Sequence, residues 1–418
     1  MNKELTKIKK IVNFCRKTVP YYKDGLRELK INSLHDFKAI PIILKNDYID
    51  NTPPNNFNML SRKDSKCFLF STGGTTSKPK YILRDFKDVE SQYLDYSGLN
   101  VNENDTVVNL FMPGIWGIFT TANITLMKSG CKIIPYGGTN LNEENCDAIG
   151  KLMEDFNVNF LVGVPSAVIS IISYLKNANK IDTLKQIDKI FCLGEMVTES
   201  TIRYLKEIIP NVKIKSKYGL MESAGIGYQC EYLNGNNYHI FPDRYVEIIG
   251  EEPESNKGSI VVTTLNERLV PLIRYKTGDA GILHEKKCKC GQGLILHVLG
   301  RNDDEVIFAS IHLSINLISS IITDVGQGCS QIFQIVLKKD HNLDCVEIII
   351  EADKLMDREQ KKIISDGIMK IIYKEIPEII DAVNSTKMSY FSVSIVSPGV
   401  IERIGSSGKV KKILDLRK

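Results

Sequence analysis

In the middle of the chain, short apolar runs alternate with segments that have the periodicity of helices. The apolar runs, each of which predicts a strand, are 107–112, 131–135, 160–164 and 189–193. Two of the intervening segments, 115–127 and 166–176, predict helices. Because such alternation is typical of parallel strands covered by helices, we predict an α/β fold with parallel sheets. Ligands in these sheets bind at the carboxyl ends of the strands, where Pro113-Gly114 and Gly194-Glu195 interrupt the pattern.

Beyond residue 238 the hydrophobic pattern changes twice. Residues 238–297 contain short runs typical of strands and no helical pattern, so we predict a small antiparallel or barrel-like β subdomain. A compact α+β unit follows. Its predicted elements are strands at 331–338, 345–351 and 389–396 and an amphipathic helix at 358–379. We therefore divide the chain into a large N-terminal domain, 1–302, and a C-terminal domain, 303–418.

Composition and charge exclude several classes of protein. The 418 residues are 43% hydrophobic and 25% charged, which is typical of a soluble protein with a substantial core. A net charge of +4 does not favour nucleic acid as the main partner. The apolar stretch 160–175 is broken by Gly163 and Pro165, and no signal peptide is evident, so we expect a cytoplasmic protein without a membrane span. In that compartment the ten cysteines are expected to be reduced thiols or metal ligands.

The stretch 71–80, Ser-Thr-Gly-Gly-Thr-Thr-Ser-Lys-Pro-Lys, is the most distinctive segment of the chain. It follows the apolar run 67–70, and its glycines, hydroxyls and lysines are the groups that bind phosphate. A polar surface turn is the alternative explanation. The segment is not a Walker loop, because Pro79 follows Lys78 and disfavours a helix there.

Further segments of a nucleotide site follow in order along the chain. They are Tyr-Gly-Leu-Met-Glu at 218–222, Arg-Tyr-Lys-Thr-Gly-Asp at 274–279, Gly-Arg-Asn-Asp-Asp at 300–304 and Gly-Lys at 408–409. Each segment alone is typical of a turn or a solvated surface, but the ordered set resembles the AMP-forming adenylating superfamily of acyl-CoA synthetases, luciferases and peptide-synthetase adenylation domains. Residues 218–247 and the tail 396–417 resemble its phenylacetate-CoA ligase branch, and the similarity extends over essentially the whole chain.

This resemblance implies an ATP-dependent, AMP-forming ligase that adenylates an aryl or short acyl carboxylic acid and transfers the acyl group to CoA as a thioester. The residues that it assigns to ATP are Thr75, Thr76, Lys80, Glu195, Tyr218, Gly219, Asp279 and Arg301. Catalysis is assigned to Lys409, Glu222 and Arg301, with Glu222 helping to coordinate Mg²⁺. Asp303 is the expected hinge of a mobile C-terminal domain.

Two positions depart from the pattern of the family. Ser77 stands where the phosphate loop usually carries glycine, and Ser310 falls where the ligase branch normally has a glycine beside the second-step acceptor. The second departure leaves an alternative acceptor open, either the phosphopantetheine of an acyl or peptidyl carrier protein or an amine. The sequence also leaves a homodimer open.

Four residues form a candidate zinc site. Cys288 and Cys290 lie one residue apart in a turn rich in lysine and glycine, and Cys230 and His239 could complete a set of four ligands, as similar residues do in the ligase branch. The alternative is a set of buried reduced cysteines with a hydrogen-bonded histidine. We favour zinc, and we expect its role to be structural because a four-ligand site leaves no open position for substrate. A remote alternative follows, in which the protein is a zinc-binding interaction protein with a vestigial nucleotide fold.

The acyl pocket is expected beside the segments 111–116, 164–165 and 223–227. Its predicted apolar lining is Phe111, Met112, Ile115 and Trp116, which suits an aryl or short acyl group. Ordinary core packing is nearly as good an explanation for each of these side chains. No basic residue in these segments is an evident partner for a second charge on the acid.

Overall fold

The chain folds into two compact units in the computed structural model, which describes residues 3–63, 66–72, 80–90, 98–138, 141–250, 256–301, 305–309, 311–341, 343–385, 388–403 and 409–417. Unit 1 comprises Met1–Val101, Pro113–Gly130 and Ser216–Asn302. Unit 2 comprises Asn102–Met112, Cys131–Lys215 and Asp303–Lys418. Each unit therefore combines segments that are distant in sequence.

Helices and strands alternate along much of the described chain. The helices are α1 (Lys3–Thr18), α2 (Pro20–Lys23), α3 (Leu34–Lys38), α4 (Lys45–Asp50), α5 (Phe86–Glu90), α6 (Ile118–Lys128), α7 (Glu143–Asp155), α8 (Pro165–Asn177), α9 (Ile181–Gln186), α10 (Glu199–Ile208), α11 (Ile315–Val325), α12 (Arg358–Glu375) and α13 (Glu378–Asn384). The first ten strands are β1 (Cys67–Thr72), β2 (Lys80–Asp85), β3 (Thr106–Asn109), β4 (Lys132–Ile134), β5 (Phe160–Gly163), β6 (Lys189–Cys192), β7 (Lys213–Leu220), β8 (Ala224–Tyr228), β9 (Asn237–Ile240) and β10 (Arg244–Ile249). The later strands are β11 (Lys257–Thr264), β12 (Tyr275–His284), β13 (Ile295–Arg301), β14 (Glu305–Phe308), β15 (Ile311–Ser314), β16 (Cys329–Asp340), β17 (Leu343–Ala352), β18 (Met388–Val396) and β19 (Ile413–Asp415).

Unit 1 is built on antiparallel strands. The order of neighbours is β10-β11-β12-β13-β9-β8-β7, and β1 and β2 form a separate hairpin. The N-terminal helices cover the sheet, since buried side chains of α1 such as Ile8 and Ile11 belong to the same apolar cluster as Ile260 and Leu296 from the strands. This cluster holds the strands that carry most of the predicted nucleotide residues.

Unit 2 contains a parallel sheet in the order β6-β5-β3-β4. Every residue of β3, β5 and β6 is buried, as expected for parallel strands with helices on both faces. The helices begin where the sequence supplies start signals. Pro165 occupies the first turn of α8, and the side chains of Asn142 and Thr198 cap α7 and α10.

The C-terminal part of unit 2 has a four-stranded sheet in the order β18-β17-β16-β19, with its own apolar cluster. β16 and β17 are antiparallel, whereas β18 and β19 pair in parallel with β17 and β16. The single helix predicted at 358–379 is wrong in its length. α12 ends at Glu375 because Pro377 disfavours helical geometry at the residue before it, and α13 starts anew at Glu378.

The predicted fold class is confirmed. Parallel strands with covering helices, an antiparallel β region and a C-terminal α+β region are all present. The domain boundaries 1–302 and 303–418, and the mobility of the second domain, stay predictions. Within the described residues, no helix has both the length and the apolar character needed to cross a bilayer.

Candidate functional site

Lys80, Glu222 and Tyr275 form a buried polar cluster in unit 1. Lys80 is the first residue of β2, and its ammonium group donates a hydrogen bond to Glu222 Oε1. The Tyr275 hydroxyl donates to the same oxygen at 2.8 Å and lies 3.5 Å from Lys80 Nζ. The side chains of Lys80 and Glu222 are only 10% and 3% exposed. Three segments of the ordered set therefore meet at one carboxylate.

Electrostatics keep this carboxylate charged. Burial alone would raise the pKa of Glu222, but the Lys80 ammonium and the hydrogen bonds from Lys80 and Tyr275 outweigh burial and lower it below its usual range. The pKa of Tyr275 is raised, first by burial and then by the charge of Glu222. The cluster thus contains an ionised carboxylate that can bind another cation in place of the Lys80 ammonium.

A second cluster in unit 1 joins Tyr218, Asp279 and Arg301. The Tyr218 hydroxyl donates to Asp279 Oδ2 at 2.7 Å, and burial together with this carboxylate raises the pKa of Tyr218. Asp279 and Arg301 face each other across β12 and β13, with Arg301 Nε 3.9 Å from Asp279 Oδ1. The Arg301 side chain is 71% exposed, so it can reach a bound ligand.

The two clusters are neighbours, because the charge of Asp279 also contributes to the raised pKa of Tyr275. Together they offer two acceptor carboxylates, two tyrosine hydroxyls and two cations. This combination suits a polyhydroxylated, phosphorylated ligand, since carboxylates accept hydrogen bonds from hydroxyls and cations bind phosphate.

Unit 2 places Lys409 beside the segment that contains Glu195. Glu195 accepts hydrogen bonds from the backbone and hydroxyl of Ser166 at 3.0 and 2.8 Å and from the Val410 backbone at 3.0 Å. Gly194 has φ +89°, and a Cβ at this position would lie 3.0 Å from Lys409 Cε. Glycine thus permits both the turn and the passage of the lysine. The ATP-binding role of Glu195 and the catalytic role of Lys409 stay predictions.

The four candidate metal ligands converge in unit 1. The ligand atoms of Cys230, His239, Cys288 and Cys290 all lie within 4.8 Å of one another. The Cys230 and Cys288 sulfurs are 3.7 Å apart, and Cys290 Sγ is 3.1 Å from His239 Nε2. Sulfurs bound at about 2.3 Å to a tetrahedral zinc ion lie roughly 3.8 Å apart. Leu294 O, 2.9 Å from His239 Nδ1, orients the imidazole so that Nε2 faces the cluster. The donor set therefore fits zinc.

Several predicted residues lie outside the described part of the chain. They are Thr75 and Thr76 of the phosphate loop, with Ser77, and Ser310 and Asp303, the expected hinge. Of the predicted acyl lining, Phe111 is buried and Met112 partly buried in unit 2, whereas in unit 1 Trp116 is partly buried and Ile115 is 44% exposed. The acyl pocket stays a prediction.

Sequence reasoning missed Lys217. This half-buried residue of β7 immediately precedes Tyr218, and its ammonium nitrogen lies 5.2 Å from the centre of the Phe241 ring. Burial, together with the charges of Arg84 and Arg244, lowers the pKa of Lys217 to about 7. The position of this lysine directly before the Tyr-Gly motif is visible in the sequence. The environment of its side chain is not, because it is formed by residues that are distant in sequence.

Comparison with known proteins gives a consistent result. The family model described as "AMP-binding enzyme" matches residues 16–265. The phenylacetate-coenzyme A ligase of Thermus thermophilus is 24% identical over 439 aligned positions, covering 99% of this chain and 95% of that protein. The indoleacetate–lysine synthetase of Pseudomonas savastanoi is 23% identical over 395 positions, covering 91% of this chain and 92% of that protein. A crystal structure of 2-hydroxyisobutyryl-CoA ligase with 2-HIB-AMP in the postadenylation state has a TM-score of 0.74 at 16% identity, covering 98% and 88% of the two chains. Since the family model spans more than half of its length, the chain belongs to the family of AMP-binding enzymes.

Proposed function

We propose that the protein is an ATP-dependent, AMP-forming ligase that adenylates a carboxylic acid and transfers the acyl group to coenzyme A. Membership of the AMP-binding family and a phenylacetate-coenzyme A ligase relative that aligns with 99% of the chain support this function. The observation that carries it is the convergence in unit 1 of Lys80, Glu222, Tyr218, Asp279 and Arg301, which come from four separate motifs.

In the first half-reaction, a carboxylate oxygen of the acid attacks the α-phosphorus of ATP. The new oxygen–phosphorus bond forms as the bond to pyrophosphate breaks, giving acyl-adenylate and pyrophosphate. Lys80, with Thr75 and Thr76, is proposed to bind the β- and γ-phosphates. Glu222 then offers its carboxylate to Mg²⁺, which neutralises phosphate charge when bound. In this scheme ATP replaces the Lys80–Glu222 pair with a lysine–phosphate and a carboxylate–metal contact.

The nucleotide is oriented by residues of the second cluster and of β7. Tyr218 and Gly219 are proposed to line the adenine pocket. Asp279, an acceptor-only carboxylate, is proposed to bind the ribose hydroxyls, while the exposed Arg301 guanidinium reaches ribose and phosphate. Glu195 is proposed to complete the ATP-binding residues. Lys409 is the proposed catalytic lysine, whose ammonium neutralises charge on the reacting carboxylate and α-phosphate.

In the second half-reaction, the thiol sulfur of coenzyme A attacks the acyl carbonyl carbon. A carbon–sulfur bond forms, the bond to the AMP oxygen breaks, and the thiol proton is released. A second candidate, transfer to an amine, has one specific observation in its favour, which is the name of the relative indoleacetate–lysine synthetase. Transfer to a carrier protein remains the alternative that the sequence left open.

A structural zinc ion is proposed for Cys230, His239, Cys288 and Cys290. Four protein ligands fill a tetrahedral site, so an ion there joins β9 to the residues 288–290 that precede β13 without taking part in the reaction. The cluster belongs to the unit that holds the candidate nucleotide residues, which is a reason to expect that zinc supports their positions.

The test is pyrophosphate release over a panel of carboxylic acids, with and without coenzyme A, and with acyl-CoA measured separately. We expect release with at least one acid and formation of its CoA thioester. Release that is unaffected by coenzyme A, with product forming only from an amine or a carrier protein, would select the alternative acceptor. No release with any acid would support the zinc-binding interaction protein.

Lys409→Ala refines this test, with Lys411→Ala as the matched control. Loss of a pre-positioned charge should lower the rate of adenylation about 100-fold to 1,000-fold. Thioester formation from preformed acyl-adenylate should continue at the wild-type rate, because the α-phosphate is no longer attacked. Equal loss of both half-reactions, or equal loss in the control, would contradict the assigned role.

A further inference from the structure

Unit 1 contains a buried cluster of cations that the nucleotide clusters do not use. We call Arg84, Lys217, Arg244 and Arg268 the basic cluster; Arg84 and Arg268 are each 2% exposed and Arg244 is 7% exposed. Their charges act on one another, since Arg268 and Arg244 lower the pKa of Arg84 to about 9 after burial, and Arg84 and Arg244 act on Lys217. The members therefore share one electrostatic environment.

Two described acids form ion pairs with members of the basic cluster. Asp88 binds Arg268 at 2.9 Å and Asp243 binds Arg244 at 2.8 Å. Nearby Asp85 binds Arg62, and Glu222 binds Lys80, so each already faces another cation. Unit 1 thus concentrates positive charge, at a cost in desolvation, beside the residues that are proposed to bind ATP and acid.

Lys217 is the member of the cluster with the fewest compensating contacts. Among the described residues no carboxylate lies within 4.0 Å of its ammonium nitrogen, and no oxygen accepts a hydrogen bond from it. Its described neighbours include the face of Phe241 and the backbone of Gly225, where a Cβ would lie 3.1 Å from Nζ, and the charge of Asp243 raises its pKa without forming an ion pair. An ammonium group in such surroundings is suited to receive an anionic group from a ligand.

The position of Lys217 suggests that this anionic group belongs to the acid substrate. Gly225 lies in the middle of 223–227, one of the segments expected beside the acyl pocket, and β8 pairs with β7 through Tyr218 and Gly227. Successive residues of a strand point to opposite faces. The Tyr218 side chain contacts Asp279, so the Lys217 side chain lies on the opposite face of β7, next to 223–227.

From this arrangement we propose that the acid substrate carries a second anionic group, a carboxylate or a group of similar charge, and that Lys217 binds it. The proposal rests on the proposed function and specifies its substrate class. Lys217 is a specificity-determining residue in this scheme, while Arg84 and Arg244 supply positive potential without touching the substrate. An anionic group bound there would neutralise the charge of Lys217.

The experiment compares matched pairs of acids. Each pair consists of a dicarboxylic acid and its monoamide, which keeps size and shape but removes one charge, over short aliphatic and aryl scaffolds. The readout is kcat/KM for pyrophosphate release at saturating ATP. We expect the dicarboxylic member of at least one pair to be preferred about 10-fold or more, because leaving Lys217 unpaired is unfavourable.

Variants assign that preference to Lys217. Lys217→Met should lower kcat/KM for the preferred dicarboxylic acid by the factor of that preference, about 10-fold or more, and leave kcat/KM for its monoamide near the wild-type value, so that the preference disappears. Lys217→Arg keeps the charge and should retain most of the preference. Lys213→Met, an exposed lysine of the same strand, is the matched control and should not change it.

The outcomes separate this proposal from the proposed function. Release with the monoamide members only, or a preference that Lys217→Met leaves intact, would overturn the second-anion proposal while the ligase activity stands. No release with any member of any pair, together with release for another acid of the wider panel, would overturn only the second-anion proposal, whereas no release with any acid of that panel would overturn both. Loss of release with both members in Lys217→Met but not in Lys217→Arg, with an unchanged KM for ATP, would show a general requirement for the charge and would also overturn the specificity role.

Discussion

Lys80 and Lys217 are two cations in the interior of unit 1 with opposite surroundings. Lys80 binds the ionised Glu222, which a tyrosine hydroxyl also contacts. Lys217 faces an aromatic ring and a glycine, and the nearest charges that lower its pKa are arginines. A paired buried charge is stable before any ligand arrives, whereas an unpaired one is costly until a ligand neutralises it. This difference agrees with the two proposed roles, in which Lys80 is held in place by the protein before phosphate binds and the charge of Lys217 is neutralised by the substrate.

Glu222→Gln would break this contrast by making Lys80 an unmatched cation as well. The variant also loses the proposed carboxylate for Mg²⁺. We expect kcat/KM for pyrophosphate release to fall about 100-fold to 1,000-fold, because pre-arranged charge at the phosphates is lost. Steady-state kinetics at several Mg²⁺ concentrations measures the effect, and excess Mg²⁺ should restore only part of the rate.

Asp105→Asn is the matched control for this variant. Asp105 and Lys189 form a buried pair in unit 2 with side chains 1% and 10% exposed, close to the values for Glu222 and Lys80. Its removal should lower the melting temperature without a comparable loss of kcat/KM in the protein that remains folded. If both variants lose activity equally, stability rather than metal binding explains the loss.

Asp279→Ala tests whether a carboxylate that already contacts Tyr218 and Arg301 also binds ATP. The loss of charged hydrogen bonds to the ribose should weaken ATP binding by about 2 kcal/mol, or roughly 30-fold. Titration calorimetry with ATP and with 2′,3′-dideoxy-ATP measures this. Wild-type protein should prefer ATP, and the variant should bind both nucleotides alike. Retained discrimination between them would contradict the ribose assignment.

The contrast between the two lysines also explains what the sequence could predict. The strands Phe160–Gly163 and Lys189–Cys192 were predictable because all their residues are buried, which leaves a short apolar run in each, in the second after the charged Lys189. The amphipathic helix predicted at 358–379 is less regular, since Ile368 and Ile372 are fully buried but Ile363 is 65% exposed. The hydrophobic pattern shows which positions are apolar, but it does not show which distant residues of the chain bury them.

The same limit applies to the site. Lys80, Glu222 and Asp279 lie in short motifs whose local sequence identifies them. Lys217 has no such motif of its own, and its environment depends on Gly225 and Phe241 across the sheet and on Arg84 from another segment. The expectation of no basic partner for the acid rested on the predicted acyl segments alone. Lys217 lies outside them, on the neighbouring strand.

The Cys/His cluster is the reverse of the Lys217 environment, because its thiolates need a cation as Lys217 needs an anion. Cys288→Ser should reduce bound zinc from about one ion per chain to a small fraction and lower the melting temperature by several degrees. Elemental analysis and thermal unfolding measure both. Cys67→Ser, at an exposed cysteine of the same unit outside the cluster, should change neither. Metal-free wild-type protein of unchanged stability would refute the site.

The pH dependence of stability gives the smallest effect and the most direct measure of how Lys217 differs from Lys80. The pKa of Lys217 is lowered to about 7 in the folded chain, against about 10.4 for an unfolded lysine. Between these values the unfolded chain binds more protons, so the free energy of unfolding should rise with pH, and this contribution is lost as pH falls through 7. Subtracting the profile of Lys217→Met isolates the contribution, since the other titrating groups that face this lysine, Arg84, Arg244 and Asp243, are common to both proteins.

The free energy of unfolding of the wild type, taken relative to that of Lys217→Met, should therefore rise between pH 7 and pH 10 as the cost of the desolvated charge is relieved, by about 1 kcal/mol per pH unit at most, because the lysine is partly exposed. Urea unfolding at fixed pH values measures it, and Lys213→Met should show no such slope. A saturating dicarboxylic substrate should flatten the slope, because a bound anion favours the charged lysine and raises its pKa. The slope for Glu222 has the same sign but lies in a lower pH range, since its lowered pKa contributes stability above about pH 4.3 that is lost on further acidification. A flat profile for the Lys217 difference would mean that solvent or another group already compensates its charge, and the contrast between the two lysines would then be lost.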